Sequence, residues 1–117
     1  MTSASIVARA RGIRLAWETD HQVWFANYDA QAATLGAPVP APGTGSRKHP
    51  VLALNGREET LLAWAEGTSF RKGGTLEWQL FEASGRPAGV KGEAPDFPAS
   101  SLPAAVTRPD GGFLLIY

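Results

Sequence analysis

The triplet Leu15-Ala16-Trp17 recurs 47 residues later as Leu62-Ala63-Trp64, and this internal repeat decides the fold prediction. Further along the chain the spacing widens to 53 residues, because Tyr28-Asp29-Ala30 has its counterpart in Phe81-Glu82-Ala83. The change from 47 to 53 places six additional residues in the second copy, within Gly67–Gly74. A repeat that keeps its register over this length predicts two units of the same structure.

A shorter third copy follows the two full ones. It begins at Pro103 and ends at Phe113-Leu114-Leu115-Ile116-Tyr117, so that Tyr117 takes the position of Trp17 and Trp64. We therefore predict one domain built from two units and half of a third, which occupy residues 3–49, 50–102 and 103–117 of the single unit 1–117.

The composition favours strands throughout. Thirteen glycines and nine prolines in 117 residues divide the chain into short apolar segments, as is typical of β-rich proteins. The predicted strands are Ser5–Ala10, Ile13–Trp17, Val23–Tyr28, Val51–Leu54, Thr60–Trp64, Thr75–Phe81, Ala104–Thr107 and Phe113–Tyr117. Weaker fourth strands are expected around Ala37–Pro40 and Val90–Gly92, where proline suits an outer edge. The best helix candidate is Asp29–Leu35, which is too short to be stable alone.

Four antiparallel strands that recur every 40 to 50 residues are typical of a β-propeller blade. The predicted fold class is therefore all-β, with about two and a half four-stranded antiparallel blades; a duplicated sandwich or meander is the alternative. Propellers need roughly four to eight blades to close. Either the chain is part of a longer one, or copies complete one another's sheets, or the two full sheets pack face to face as a small fold.

Three segments resemble blades of bacterial sialidase-like propellers: His49–Asn55, Thr60–Gly67 and Leu76–Glu82. The resemblance implies the propeller fold at the level of single blades. It does not extend to the family's Asp-box, Ser-x-Asp-x-Gly-x-Thr-Trp, which this sequence lacks; the turn 108–112 lies between different strands. A sialidase would also need three arginines, a tyrosine with a glutamate partner and an acid/base aspartate, and no spacing identifies that set.

Charge and composition exclude several classes of function. Eleven basic and eleven acidic residues leave no surplus of positive charge for binding nucleic acid. No apolar segment approaches the roughly 20 residues of a membrane span, so no membrane partner is expected. The absence of cysteine excludes a thiol nucleophile and a cysteine-ligated metal, and His21 and His49 have no metal-ligand spacing. We therefore expect no metal and no cofactor. No signal peptide is visible, and the sequence assigns no compartment.

One group of residues is a candidate ligand site. In a propeller, the connections from the fourth strand to the next blade and from the second to the third strand emerge on one face. These connections carry His21, Arg47, Lys48, His49, Phe70, Arg71 and Lys72. Arginine beside an aromatic ring suits sugars and acidic groups. Ordinary solvated loops are the alternative, and in either case these residues are expected to be exposed.

The repeated residues Leu15, Trp17, Leu62 and Trp64 are predicted to fill equivalent places in the core. Trp24 differs, because its counterpart in the second copy is Glu77, and we expect it to serve an interface. Leu114–Ile116 would form an apolar edge strand that needs a partner. That partner is expected from a second copy, which would make a homo-oligomer, or from the segment Thr2–Ala10 of the same chain.

The leading function prediction is a non-catalytic binding or scaffold module, with an acidic glycan or a protein as partner. Two alternatives remain open. The chain could be a fragment of a sialidase-like glycoside hydrolase, or a structural repeat fragment that assembles through its sheet edges.

Overall fold

The computed structural model describes residues 3–117 and shows an all-β protein with antiparallel sheets and, over that range, no helix. The strands are β1 (Ala4–Arg9), β2 (Gly12–Thr19), β3 (Gln22–Asp29), β4 (Thr34–Leu35), β5 (Val39–Pro40), β6 (Arg47–Leu54), β7 (Thr60–Glu66), β8 (Gly74–Phe81), β9 (Pro87–Phe97), β10 (Ala104–Thr107) and β11 (Phe113–Ile116). Over residues 3–117 there is accordingly no helix long and apolar enough to cross a membrane.

The strands form three groups in chain order. Sheet 1 has the order β1-β2-β3-β4, with β5 also paired to β3. Sheet 2 has the order β6-β7-β8-β9, and β10 pairs with β11 as a separate hairpin. The first strands of successive groups are neighbours, since β1 contacts β6 and β6 contacts β10.

The strand register reproduces the repeat seen in the sequence. Trp17 lies opposite Trp24 in sheet 1, and Trp64 lies opposite Glu77 in sheet 2. Trp24 and Glu77 are therefore structural equivalents, as the sequence predicted. Two residues lie between the paired Thr19 and Gln22 of sheet 1, whereas eight residues, 67–74, lie between the paired Glu66 and Thr75 of sheet 2, so the six additional residues are in the β7–β8 connection.

The two sheets pack face to face through side chains that alternate along their strands. Ala16, Val23 and Phe25 of sheet 1 meet Leu62, Trp64 and Phe81 of sheet 2. The Phe25 and Phe81 rings stack with centroids 4.4 Å apart. This interface is the larger part of the core.

The opposite face of sheet 2 makes a second, similar interface with the β10–β11 hairpin. Ala63, Ala65, Leu76 and Phe97 form a buried cluster against which Leu115 packs. The Phe97 and Tyr117 rings stack at 5.9 Å. Sheet 2 is thus covered on both faces, so the consecutive β7 residues from Leu61 to Ala65 are all apolar and buried.

Arg14 connects the two sheets at the end opposite the β7–β8 loop. Its guanidinium is fully buried and donates hydrogen bonds to the Thr60 hydroxyl and to the carbonyls of Glu58, Glu82 and Ala83. A buried charge is tolerated where its donors are satisfied in this way.

The segment Asp29–Leu35, the best helix candidate in the sequence, forms a turn and a short strand. The Asp29 carboxylate accepts hydrogen bonds from the backbone N–H groups of Gln31 and Ala32, at 2.9 and 3.1 Å, and so holds a turn. The chain then enters the short strand β4. Asp side chains compete with helical hydrogen bonds in this manner.

The weak fourth strands also differ from expectation. In sheet 1 the edge is divided between β4 and β5, both paired with β3. In sheet 2 the fourth strand β9 spans Pro87–Phe97, far beyond the predicted Val90–Gly92. Two irregularities in its pairing with β8 allow this length.

The prediction of equal burial for the repeated core residues is half right. Leu62 and Trp64 are fully buried, but Leu15 and Trp17 are only half-buried. The reason is that Leu15 and Trp17 lie on the face of sheet 1 that points away from sheet 2. Trp24 is half-buried on that same outward face.

The possibility that the chain's own first segment pairs with β11 is wrong. β1 pairs with β2 from Ala4 to Arg9, while Thr2 lies outside the described residues. Within residues 3–117, β11 pairs with β10 alone.

Candidate functional site

Three connections meet at one end of the molecule, which we call the loop end: the β2–β3 turn, the β5–β6 segment and the β7–β8 loop. The Arg47 N–H donates to the His21 carbonyl at 2.9 Å, and the Gly67 N–H donates to the Ser46 carbonyl at 2.8 Å. These backbone bonds hold the three connections side by side. The seven candidate residues therefore lie toward the same end of the molecule, as antiparallel connections require.

The β7–β8 loop is the most prominent feature of the loop end. Ser69 and Lys72 exchange backbone hydrogen bonds of 2.9 and 3.3 Å, which closes a tight turn with Phe70 and Arg71 at its tip. Phe70 is 82% exposed, and the Arg71 guanidinium carbon lies 6.0 Å from the centre of its ring. The Ser100 hydroxyl donates to the Phe70 carbonyl at 3.1 Å and fixes the loop from the other side. An apolar ring and two cations are thus presented together to solvent.

His21 lies at the tip of the β2–β3 turn, exposed and with a positive φ of 60°. Its Nδ1 is 3.4 Å from the Ser46 hydroxyl. A shallow depression of about 570 Å³ surrounds it, lined by Asp20, His21, Gln22, Thr44, Gly45 and Ser46. The depression is open to solvent, and its lining residues are polar except for Gly45.

Lys48 and His49 are both half-buried at an irregularity between β6 and β7. The His49 N–H donates to the Glu18 carboxylate at 3.0 Å, and its Nδ1 lies 4.0 Å from the same carboxylate. The His49 backbone is therefore bound to an internal partner, while its Nδ1 is buried without a hydrogen bond.

The expectation that Arg47 is an exposed loop residue is wrong. Arg47 is the first residue of β6 and is fully buried. Its Nε donates to Glu66 at 2.9 Å, and its Nη1 donates to the Gln22 side chain at 2.8 Å and to the Ala41 carbonyl at 3.0 Å. Arg47 consequently joins the three connections through hydrogen bonds made by its buried side chain.

Sequence reasoning missed a cleft beside Arg47. The cleft has a volume of about 340 Å³ and is lined by Pro42, Gly43, Trp64, Glu77, Trp78, Lys91, Gly92 and Glu93. Gly92 is required where β9 passes Trp78, because a Cβ there would come within 2.5 Å of the indole. The sequence did carry a signal for this cleft, because the repeat position that is Trp24 in the first copy is Glu77 in the second.

Two carboxyl groups share a hydrogen bond next to this cleft. Burial, reinforced by the neighbouring Glu66 and Glu93 carboxylates, raises the pKa of Glu77 to about 7. Burial also opposes ionisation of Glu66, but hydrogen bonds from Glu77 and Arg47 outweigh it and lower the pKa of Glu66. Below neutral pH, Glu77 is therefore the protonated donor and Glu66 the carboxylate acceptor.

Over residues 3–117, no cluster of three or more His, Asp or Glu side chains could hold a metal ion. No known protein family, no curated protein and no solved structure matches this chain.

Proposed function

We propose that the protein is a non-catalytic, propeller-type binding module that recognises acidic groups of a glycan or a protein partner at its loop end. The observation that carries this proposal is the β7–β8 loop. Its six additional residues present Phe70, Arg71 and Lys72 to solvent at the end where the other connections meet. An exposed phenylalanine with two cations has no role in the core, and these groups suit a ligand with carboxylates and an apolar face.

The propeller part of the proposal is supported by the way the sheets stack. Successive groups of strands use equivalent faces, and their first strands β1, β6 and β10 are neighbours in order. In a propeller, the innermost strands of successive blades are arranged in this manner around the axis.

The non-catalytic part is supported by the geometry of Glu66 and Glu77 beside the cleft, where Glu93 lies opposite Glu77 as a third carboxyl group. Glu77 pairs with Trp64, so Glu66 is its diagonal neighbour on the same face of sheet 2, and the two carboxyl groups are coupled directly to each other. Retaining glycoside hydrolases hold their two carboxyl groups about 5–5.5 Å apart, and inverting enzymes hold them farther apart. This pair instead acts with Arg47 as an internal connection between strands.

The test compares two double variants on an array of carboxylated and neutral oligosaccharides and acidic peptides. Arg71→Glu with Lys72→Glu reverses the charge of the loop tip. Arg86→Glu with Arg108→Glu makes the same change in net charge at the opposite end, where both residues are exposed. Exposed substitutions of this kind alter stability by only about 0.5 kcal/mol, so both proteins should remain folded.

We expect the wild-type protein and the Arg86/Arg108 variant to bind carboxylated members of the array, with affinity that falls as salt increases. The Arg71/Lys72 variant should lose at least tenfold in affinity. Equal binding by the two variants, or no binding of any acidic member by the wild type, would overturn the proposal.

A further inference from the structure

One face of sheet 1 is apolar, and no second sheet packs against it within the described residues. The outward side chains of β1, β2 and β3 between Ala4 and Tyr28 include no charged group; they are Ala4, Ile6, Ala8, Ile13, Leu15, Trp17, Thr19, Gln22, Trp24, Ala26 and Tyr28. Ile6 is 61% exposed. Along an antiparallel strand, apolar residues on the buried face normally alternate with polar residues on the face that points to water. The outward face of sheet 1 is instead mainly apolar. We call it the sheet 1 outer face.

The β10–β11 hairpin carries a second uncovered apolar face. While Leu115 points into the cluster on sheet 2, the side chains on the other side of the hairpin are Ala104, Val106, Leu114 and Ile116. Leu114 and Ile116 are 52% and 53% exposed. We call this the hairpin outer face. Contiguous exposed apolar faces mark interaction sites.

The internal repeat relates these two faces to the interfaces already formed inside the molecule. Where sheet 1 meets sheet 2, Ala16 packs near Leu62 and Trp64. Where sheet 2 meets the hairpin, Ala63 packs near Leu115. By the spacing of the repeat, Ala63 corresponds to Ala16, and Leu115 corresponds to Leu62. In both interfaces, therefore, a face that carries Ala16 or its counterpart packs against a face that carries Leu62 or its counterpart. We call these the Ala16 type and the Leu62 type of face.

Of the two uncovered faces, the sheet 1 outer face is of the Leu62 type and the hairpin outer face is of the Ala16 type. On the sheet 1 outer face, Leu15 and Trp17 correspond to Leu62 and Trp64. On the hairpin outer face, Ile116 corresponds to Ala63. Each end of the molecule therefore presents the half of the repeated interface that the other end lacks.

We propose that the chain associates with a second copy head to tail, with the hairpin outer face of one copy packed on the sheet 1 outer face of the next. This contact continues the stacking that already joins sheet 1 to sheet 2 and sheet 2 to the hairpin. Neither face carries a charged side chain on its paired strands, so burial leaves no unpaired charge. The interface is heterologous, and such contacts close into rings or continue as filaments.

This arrangement differs from pairing through the free edge of β11. Edge pairing of two hairpins would be symmetric, and it would not involve the sheet 1 outer face. The two arrangements therefore respond differently to a change at Trp17. The proposal does not rest on ligand binding at the loop end, although Gln22 belongs to both surfaces.

The experiment measures molar mass by light scattering across a concentration series, using the full chain. Trp17→Lys places a charge on the sheet 1 outer face, and Ile116→Lys places one on the hairpin outer face. Val39→Lys is the control, because Val39 is exposed on β5 of the same sheet but pairs with Phe25 on the opposite face. Circular dichroism checks that each variant is folded, and Leu15→Lys replaces Trp17→Lys if the latter unfolds.

We expect the wild type and Val39→Lys to associate, and each of the other two variants alone to be monomeric. An equimolar mixture of Trp17→Lys and Ile116→Lys should again associate and double the molar mass, because one intact face remains on each partner. Three results would overturn the proposal. They are a monomeric wild type at every concentration, a Trp17→Lys variant that still associates, and a mixture of the two variants that stays monomeric.

Discussion

Trp17 and Trp64 occupy equivalent positions in the repeat but have different surroundings. Trp64 is 1% exposed between the two sheets, whereas Trp17 is half-buried on the outer face of sheet 1. Replacing Trp64 with alanine removes a large buried ring and leaves a cavity, which costs about 3–5 kcal/mol. Urea denaturation should therefore show Trp64→Ala strongly destabilised, and Trp17→Ala clearly less so in a monomeric background such as Ile116→Lys. Equal losses in the two variants would contradict the assigned core.

Glu77 makes stability depend on pH in a predictable direction. Its pKa rises from 4.5 to about 7 on folding, so the folded state favours the protonated form. Its stabilising contribution is complete below the unfolded pKa and is lost as the pH rises through about 7. Glu66 has a lowered pKa, so its contribution is lost only as the pH falls below the usual range for a glutamate.

The Glu77→Gln variant tests this assignment. Glutamine keeps a hydrogen-bond donor for Glu66 but cannot ionise, so the fall in melting temperature between about pH 5 and 8 should become shallower. The variant should consequently be more stable than the wild type at the alkaline end of that series. Glu82→Gln, at an exposed position on the other end of sheet 2, should keep the wild-type slope. A wild-type profile that is already flat would show that Glu77 ionises normally.

At the scale of elements, the strands were predictable and their edges were not. The inner three strands of each sheet follow from apolar segments bounded by turn residues, and β10 begins and ends where the sequence predicted. The extent of β9 was not predictable, because its pairing with β8 passes through two irregularities, between Gly74 and Leu76 and between Gln79 and Phe81, that no local sequence pattern indicates. The alanines after Asp29 favour helix, but the segment was too short to form a stable helix, and the Asp29 side chain holds it in a turn.

The candidate site was also predictable only in part: its location was predictable from the sequence, and the burial of its residues was not. The sequence predicted that the connections carrying His21, Arg47 and Arg71 meet at one end, because antiparallel connections alternate between the two ends of a sheet. It could not predict that Arg47 is buried, since its partners Gln22, Ala41 and Glu66 come from three separate parts of the chain. Burial set by long-range contacts is not readable from local pattern.

The shape of the whole molecule follows from one interface used repeatedly. Each sheet has two dissimilar faces, and each contact joins one face type to the other. The stack formed by residues 3–117 leaves one apolar face uncovered at each end, and these are the two faces that the proposed head-to-tail contact would bury. Zero net charge adds little repulsion to oppose such a meeting.

Head-to-tail association has a consequence for thermal stability that monomer packing alone does not. A partner that binds the folded chain and not the unfolded one stabilises it by about 2.7 kcal/mol at a concentration one hundred times the dissociation constant. For a domain of this size that corresponds to a rise in melting temperature of about 10 °C. The wild-type protein should therefore melt at higher temperature as its concentration increases, whereas Ile116→Lys should melt at the same temperature throughout. Scanning calorimetry on matched dilution series measures both. A wild-type melting temperature independent of concentration would mean that its two outer faces remain in water.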